Sequence, residues 1–112
     1  YAIQNWLETV LEAENLNAIA WHDGDAVGHT MLVADREGEH ELAIFVLSEY
    51  QGAGIGTELI ATLLGHGQRE GLEKVWLTVE RWNKAAIALY QKVGFEICDT
   101  ESFEIEMTIR LD

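Results

Sequence analysis

The chain has 112 residues, 48% apolar and 24% charged, a balance that fits one globular domain over residues 1–112 and excludes a disordered chain. No apolar run approaches the roughly 20 residues that cross a bilayer, and the single cysteine, Cys98, excludes an internal disulfide framework and a multi-cysteine zinc site. Twenty acidic residues against seven basic ones leave a net charge of −13, which repels nucleic acid and anionic membranes.

Residues 1–14 lack a basic start followed by an apolar block, so no secretory signal is expected. With one cysteine, the expected compartment is the reducing cytoplasm. The acids are spread along the whole chain, which we read as a halophilic adaptation to salt; the other reading is steering of a cationic ligand. Residues 1–56 hold one basic residue, Arg36, against ten acids, and the other six basic residues lie in 57–112. An anionic ligand is therefore expected on the C-terminal half.

In chain order, Trp6, Leu7, Val10 and Leu11 recur at the spacing of one face of a short helix, with Glu8, Glu12 and Glu14 on its wet side. Asn17–Trp21 and Ala26–Ala34 read as strands joined across His22-Asp23-Gly24-Asp25, and Asp-Gly between apolar runs is a hairpin signal. Arg36-Glu37-Gly38-Glu39 makes a second turn. Leu42–Leu47 is continuously apolar, which predicts a strand buried on both faces. A glycine-rich turn, Gln51–Gly56, leads into a helix over Thr57–Glu70, with Leu59, Ile60, Leu63 and Leu64 on one face and Gly71 at the stop. Lys74–Val79 is a short strand. Asn83 caps a helix over Ala85–Val93 that ends at Gly94. Glu96–Asp99 and Phe103–Leu111 close the chain as a hairpin, the latter alternating apolar and polar residues. The expected class is α/β (α+β), a mixed sheet with helices packed on it.

Two constellations carry chemistry. The first, Gln51-Gly52-Ala53-Gly54-Ile55-Gly56-Thr57, follows a buried strand and opens a helix. Glycines there let backbone approach a ligand, and the free N–H groups and dipole of a helix start favour an anion such as a pyrophosphate. It is neither a dinucleotide fingerprint, since Thr57 stands where the third glycine belongs, nor a P-loop, since it has no lysine. Alone it also reads as a plain strand-to-helix turn. The second runs from Asn83 to Phe95, with Tyr90 about two turns past the cap.

Together, Gln51-x-x-Gly54-x-Gly56 and Asn83-x-x-Ala86-x-x-x-Tyr90-x-x-x-Gly94-Phe95, in this order and about 30 residues apart, resemble the GCN5-related N-acetyltransferase (GNAT) family. In element order the resemblance covers roughly residues 16–111. It implies the GNAT fold, here with a short N-terminus. It also implies transfer of an acetyl group from acetyl-CoA to an amine, a small molecule or a protein amine, with no metal. It places Ile44, Phe45 and Val46 along the pantetheine and residues Gly52 to Thr57, Ile55 included, around the pyrophosphate. Asn83 falls on the cofactor arm and the Tyr90 hydroxyl near the sulfur. Backbone N–H groups near Val46 would hold the oxyanion, and Tyr90 would protonate the leaving thiolate. Tyr90 also fits a core aromatic beside Ala86, Leu89 and Val93.

The base is the weak point. One family branch carries a glutamate five positions before the motif asparagine, which here is Thr78; Glu80 follows two residues later. Another places one six residues before the Val46 position, which here is His40, beside Glu41. His40 is the nominated base, and an exposed turn histidine is its alternative. His29 and His66 stand alone, and His22 with Asp23 and Asp25 makes an incomplete metal set. Cys98 reads as a small core residue. Trp21, Trp76 and Trp82 read as apolar anchors, Trp82 also as a wall of an acceptor groove. Lys84 and Lys92 read as helix-face residues or as partners of the CoA phosphates. Two rivals stand beside the enzyme: a non-catalytic acyl-CoA-binding module, and a structural subunit or homodimer built on an exposed strand edge.

Overall fold

The computed structural model describes residues 6–12, 15–35, 37–52, 54–99 and 103–112, with only the backbone of 6–12 and 15. Arg36 and Ala53 lie outside the described residues.

Seven strands form one mixed sheet in the order β1-β2-β3-β4-β5-β7-β6. They are β1 (Trp6–Glu12), β2 (Asn15–His22), β3 (Asp25–Ala34), β4 (His40–Val46), β5 (Lys74–Glu80), β6 (Glu96–Asp99) and β7 (Glu104–Arg110); the helices are α1 (Ile55–Arg69) and α2 (Lys84–Val93). Trp6–Glu12, expected as a helix, is a strand that pairs antiparallel with β2 from Trp6↔Trp21 to Glu12↔Asn15. The misreading has a simple cause. Residues four apart, such as Trp6 and Val10, share a face in a strand as well as in a helix, so seven residues do not separate the two periods. The β2–β3 hairpin forms where Asp-Gly predicts it, with Asp23 at φ 50° and Gly24 at φ 83°, the positive angles of a type I′ turn.

One face of the sheet carries the core. Leu59, Ile60, Leu63 and Leu64 of α1 are buried with Leu16, Ala18, Ala20, Leu32 and Leu42 of β2, β3 and β4. The helix sits low because small residues lie beneath it. A Cβ placed on Gly28 would come within 2.8 Å of Leu59 Cδ1, 3.3 Å of Ile55 Cγ2 and 3.6 Å of Ala20 Cβ. The buried Thr30 hydroxyl donates to the Ala43 carbonyl at 2.9 Å, so this core leaves that polar group satisfied. Val75, Leu77, Val79, Ile105 and Met107 of β5 and β7 continue the layer. At the end of α1, Gln68 Nε2 donates to the Leu111 carbonyl at 2.9 Å and ties the helix to the last strand.

The opposite face is more open. Asn17, Ile19, His29 and Met31 are half-buried, and Ala43, Phe45 and Thr78 are exposed. The expectation that Leu42–Leu47 is buried on both faces is therefore corrected. Leu42 is buried, but Phe45 is 63% exposed and Leu47, past the strand end, is 37% exposed. An apolar run reports affinity for a core, not the number of layers that cover it. Cys98 is likewise exposed, on the short edge strand β6, and is no core residue. Trp82 is 75% exposed and anchors nothing in the core.

The feature that positions everything else is a fork. β4 and β5 run parallel but pair only at His40↔Val75 and Glu41↔Trp76; beyond that β5 pairs with β7 alone on this length. The closed end is clamped from outside. Trp76 Nε1 donates to Asp35 Oδ2 at 2.9 Å, and Lys74 Nζ lies 3.4 Å from Glu39 Oε1.

Candidate active site in the fork

The register of β3 and β4 decides which backbone groups face the gap. The Leu47 N–H donates to the Val27 carbonyl at 2.9 Å, so Val27 and Leu47 form a hydrogen-bonded pair. Antiparallel pairing alternates. Gly28↔Val46 and Thr30↔Ile44 are thus the pairs whose backbone groups point away from each other. The N–H and C=O groups of Ile44 and Val46 consequently turn toward β5, where no strand meets them. Gln51 Nε2 occupies the Val46 carbonyl at 3.0 Å. The Val46 N–H faces the same way, as a donor aimed into the gap.

Below β4 the chain makes a short 3-10 turn at Ser48–Tyr50 and enters the glycine loop. The N-cap of α1 is Gly54, at φ 86°, with no side-chain cap. A side chain is strained at that angle, and glycine leaves the first-turn N–H groups uncovered. Gly56 is where three elements converge: a Cβ there would lie 3.7 Å from Ile44 Cδ1 and 3.8 Å from Leu89 Cδ1.

A cleft of about 540 Å³ joins these parts. Ile44 and Val46 form one wall, Gln51, Gly52, Gly54, Gly56 and Thr57 the floor, and Asn83, Ala86, Leu89, Tyr90 and Lys92 the other wall. Asn83 Oδ1 accepts the Ala86 N–H at 3.1 Å, so the residue caps α2 while its side of the helix start faces the cleft. Tyr90 is buried, with its ring 6.0 Å from that of Phe95 at 65°, the edge-to-face geometry favoured by aromatic quadrupoles. Burial raises its pKa above the ordinary tyrosine value, because the phenolate is poorly solvated there. It therefore stands as a neutral O–H donor on the cleft wall.

Most of the sequence-nominated cofactor residues thus meet in one place. Two do not: Phe45 points to the other face of β4, and Ile55 is buried in the core under α1. Ala53 lies outside the described residues. His40 is at the closed end of the fork, six residues before Val46, about 20 Å along an extended strand. Ala85, Ala88 and Leu89 complete the wall; no chemical signal marks such residues, and only the helix's orientation selects them. The residues suit a diphosphate-bearing thioester: uncovered N–H groups at the α1 start, Lys92 on the cleft wall, apolar side chains, and the Val46 donor. Among the described residues no cluster of side chains could hold a metal.

Comparison with known proteins agrees with this geometry. A model of the acetyltransferase (GNAT) family matches residues 1–95. The chain is 39% identical over 85 residues to mycothiol acetyltransferase of Paenarthrobacter aurescens, covering 70% of this chain and 26% of that protein. It is 31% identical over 97 residues to N-alpha-acetyltransferase 50 of Danio rerio, covering 82% of this chain and 58% of that protein. It thus spans between about a quarter and somewhat over half of these relatives. In fold, the PaiA N-acetyltransferase of Thermoplasma acidophilum, solved in complex with coenzyme A, superposes with a TM-score of 0.79 at 24% identity, covering 87% of this chain and 61% of that one. A forked sheet, a glycine loop at a helix start and an extended family match all agree: this chain belongs to the GNAT acetyltransferase family.

Proposed function

We propose that the chain, as one domain, moves an acetyl group from acetyl-CoA to a primary amine by direct attack, in the cytoplasm. The observation that carries the reading is the fork: it leaves the Val46 N–H as a donor in a gap whose mouth is the uncovered start of α1. The first-turn N–H groups and Lys92 hold the diphosphate. Ile44 and Val46 align the pantetheine arm along β4. A neutral amine attacks the thioester carbon, and the Val46 N–H stabilises the oxyanion that forms. The C–N bond forms first; as the oxyanion collapses the C–S bond breaks, the Tyr90 hydroxyl gives its proton to the departing sulfur, and the proton lost from the amine nitrogen restores Tyr90 through solvent. No covalent enzyme intermediate is required. His40, the base nominated from sequence, would have to act through a chain of waters from the closed end of the fork.

Calorimetric titration with acetyl-CoA, followed by a thiol-release screen of amines, tests this. Saturable binding at millimolar acetyl-CoA or below is expected, and its absence overturns the proposal. Tyr90→Phe should lower kcat by roughly 10²-fold, the scale of a lost proton donor, with little change in acetyl-CoA affinity. An unchanged rate removes Tyr90 as the proton donor, and no turnover of any amine despite binding favours an acyl-CoA-binding module instead.

A further inference from the structure

Among the described residues lining the cleft there is no carboxylate and no imidazole, and Thr78, exposed on β5 across the gap, has no basic group. The cofactor side is the face that carries Ile44, Val46 and α2. An acceptor must then approach from the opposite face of the sheet, where its ammonium group has to lose a proton before it can attack. On that face one row of cross-strand neighbours runs Glu8, Ile19, His29, Phe45. Phe45 immediately precedes the Val46 donor. His29 is the one imidazole in the row, one strand spacing of about 5 Å from Phe45.

Its chemistry is set by a neighbour. His29 Nε2 lies 2.8 Å from Asn17 Oδ1. An amide oxygen only accepts, so Nε2 carries the hydrogen and Nδ1 of the neutral ring holds the lone pair. The groups packed around it are uncharged: Asn17 and Ile19 on β2, Met31 on β3, Ala43 and Phe45 on β4. The nearest acids by register on this face are Glu8, two strands away, Glu41, four residues along β4 from Phe45, and Glu80 on β5 beyond the gap.

We infer that His29 takes the proton from the acceptor's ammonium group at Nδ1, through one bridging water, and that Asn17 fixes the tautomer that makes this possible. This rests on the acetyl-transfer reading above. The ammonium gives one proton through the water to Nδ1. The freed lone pair forms the C–N bond, the C–S bond breaks, Tyr90 protonates the sulfur, and the second nitrogen proton returns to Tyr90 through solvent. The imidazolium then releases its proton to solvent. His40 is not needed for this step.

The test compares two probe amines at pH 7.5 with saturating acetyl-CoA: benzylamine, which is mostly protonated, and 2,2,2-trifluoroethylamine, which is mostly neutral. His29→Gln should lose at least tenfold in kcat/KM with benzylamine and less than threefold with trifluoroethylamine. Equal losses, or none, overturn the inference. Acetyl-CoA binding measured on the same variants separates the two readings: intact binding with no selective loss sinks only the role of His29, whereas absent binding in the parent chain sinks the acetyl-transfer reading first. Should His29→Gln not fold, Asn17→Ala decides, with a smaller loss of the same selectivity expected and its absence overturning the inference. An independent readout is the long-range nitrogen–proton spectrum of the ring. In the parent chain Nδ1 should be the unprotonated nitrogen, and in Asn17→Ala the tautomers should mix; a ring protonated at Nδ1 in the neutral parent overturns the assignment.

Discussion

Single residues set the tolerances of this site. Gly54 holds a left-handed turn that a side chain strains. Gly28 matters for a different reason: it is the floor on which Leu59 and Ile55 rest. A methyl group at Gly28 has no room, because Leu59 is fully buried and has nowhere to swing. Gly28→Ala should therefore destabilise the fold by about 1–3 kcal/mol, the usual cost of overpacking a core, and lift the start of α1 away from β3. Thermal unfolding measures the first effect, and weaker acetyl-CoA binding reports the second. A variant as stable as the parent contradicts the close packing described here. Sequence alone marks Gly28 as nothing more than a glycine inside a strand; its burden comes from α1.

At the scale of elements, the fork is held open by what clamps its base. Asp35 accepts from the Trp76 indole and from the backbone N–H groups of Glu37 and Glu39. The Trp76 hydrogen bond is the main cause that lowers the Asp35 pKa; burial opposes it, and the two backbone bonds and the His40 charge add to the lowering. A depressed carboxylate stabilises the fold above its unfolded value, near 3.9, and that contribution is lost as pH falls through the lower folded value. Trp76→Phe should thus flatten the loss of stability between about pH 5 and pH 2. Denaturant unfolding across that range checks it, and parallel profiles for the two proteins count against the clamp. The motif helices were legible in the sequence because Asn83, Gly71 and Gly94 mark their ends chemically. The first strand was not, since its seven residues satisfy both periods and no Asp-Gly or Asn-Gly pair marks its turn into β2.

For the whole molecule, the charge of −13 is the dominant long-range term. Like charges spread over a surface repel, and salt shortens their reach to about 3 Å at 1 M. The melting temperature should rise with molar sodium chloride, and a flat or falling curve removes the reading of salt adaptation. Among the described residues no helix is long and apolar enough to cross a membrane. Among the described residues β1 pairs with β2 alone, and its other side is the edge on which the proposed homodimer would build; light scattering tests it, and a strict monomer removes it.

The amino-acid order by itself determined the two motifs, the helix caps, the hairpin at Asp23-Gly24 and hence the family, because each depends on residues close together in the chain whose chemistry is local. The tertiary structure decided the rest. Which backbone donor faces the gap follows from the β3–β4 register, which walls meet follows from where α2 lies, and the proposal of His29 rather than His40 rests on which end and which face of the sheet each occupies. These are relations between strands, and only the folding of the sheet, through pairing partners far apart in sequence, brings them into existence.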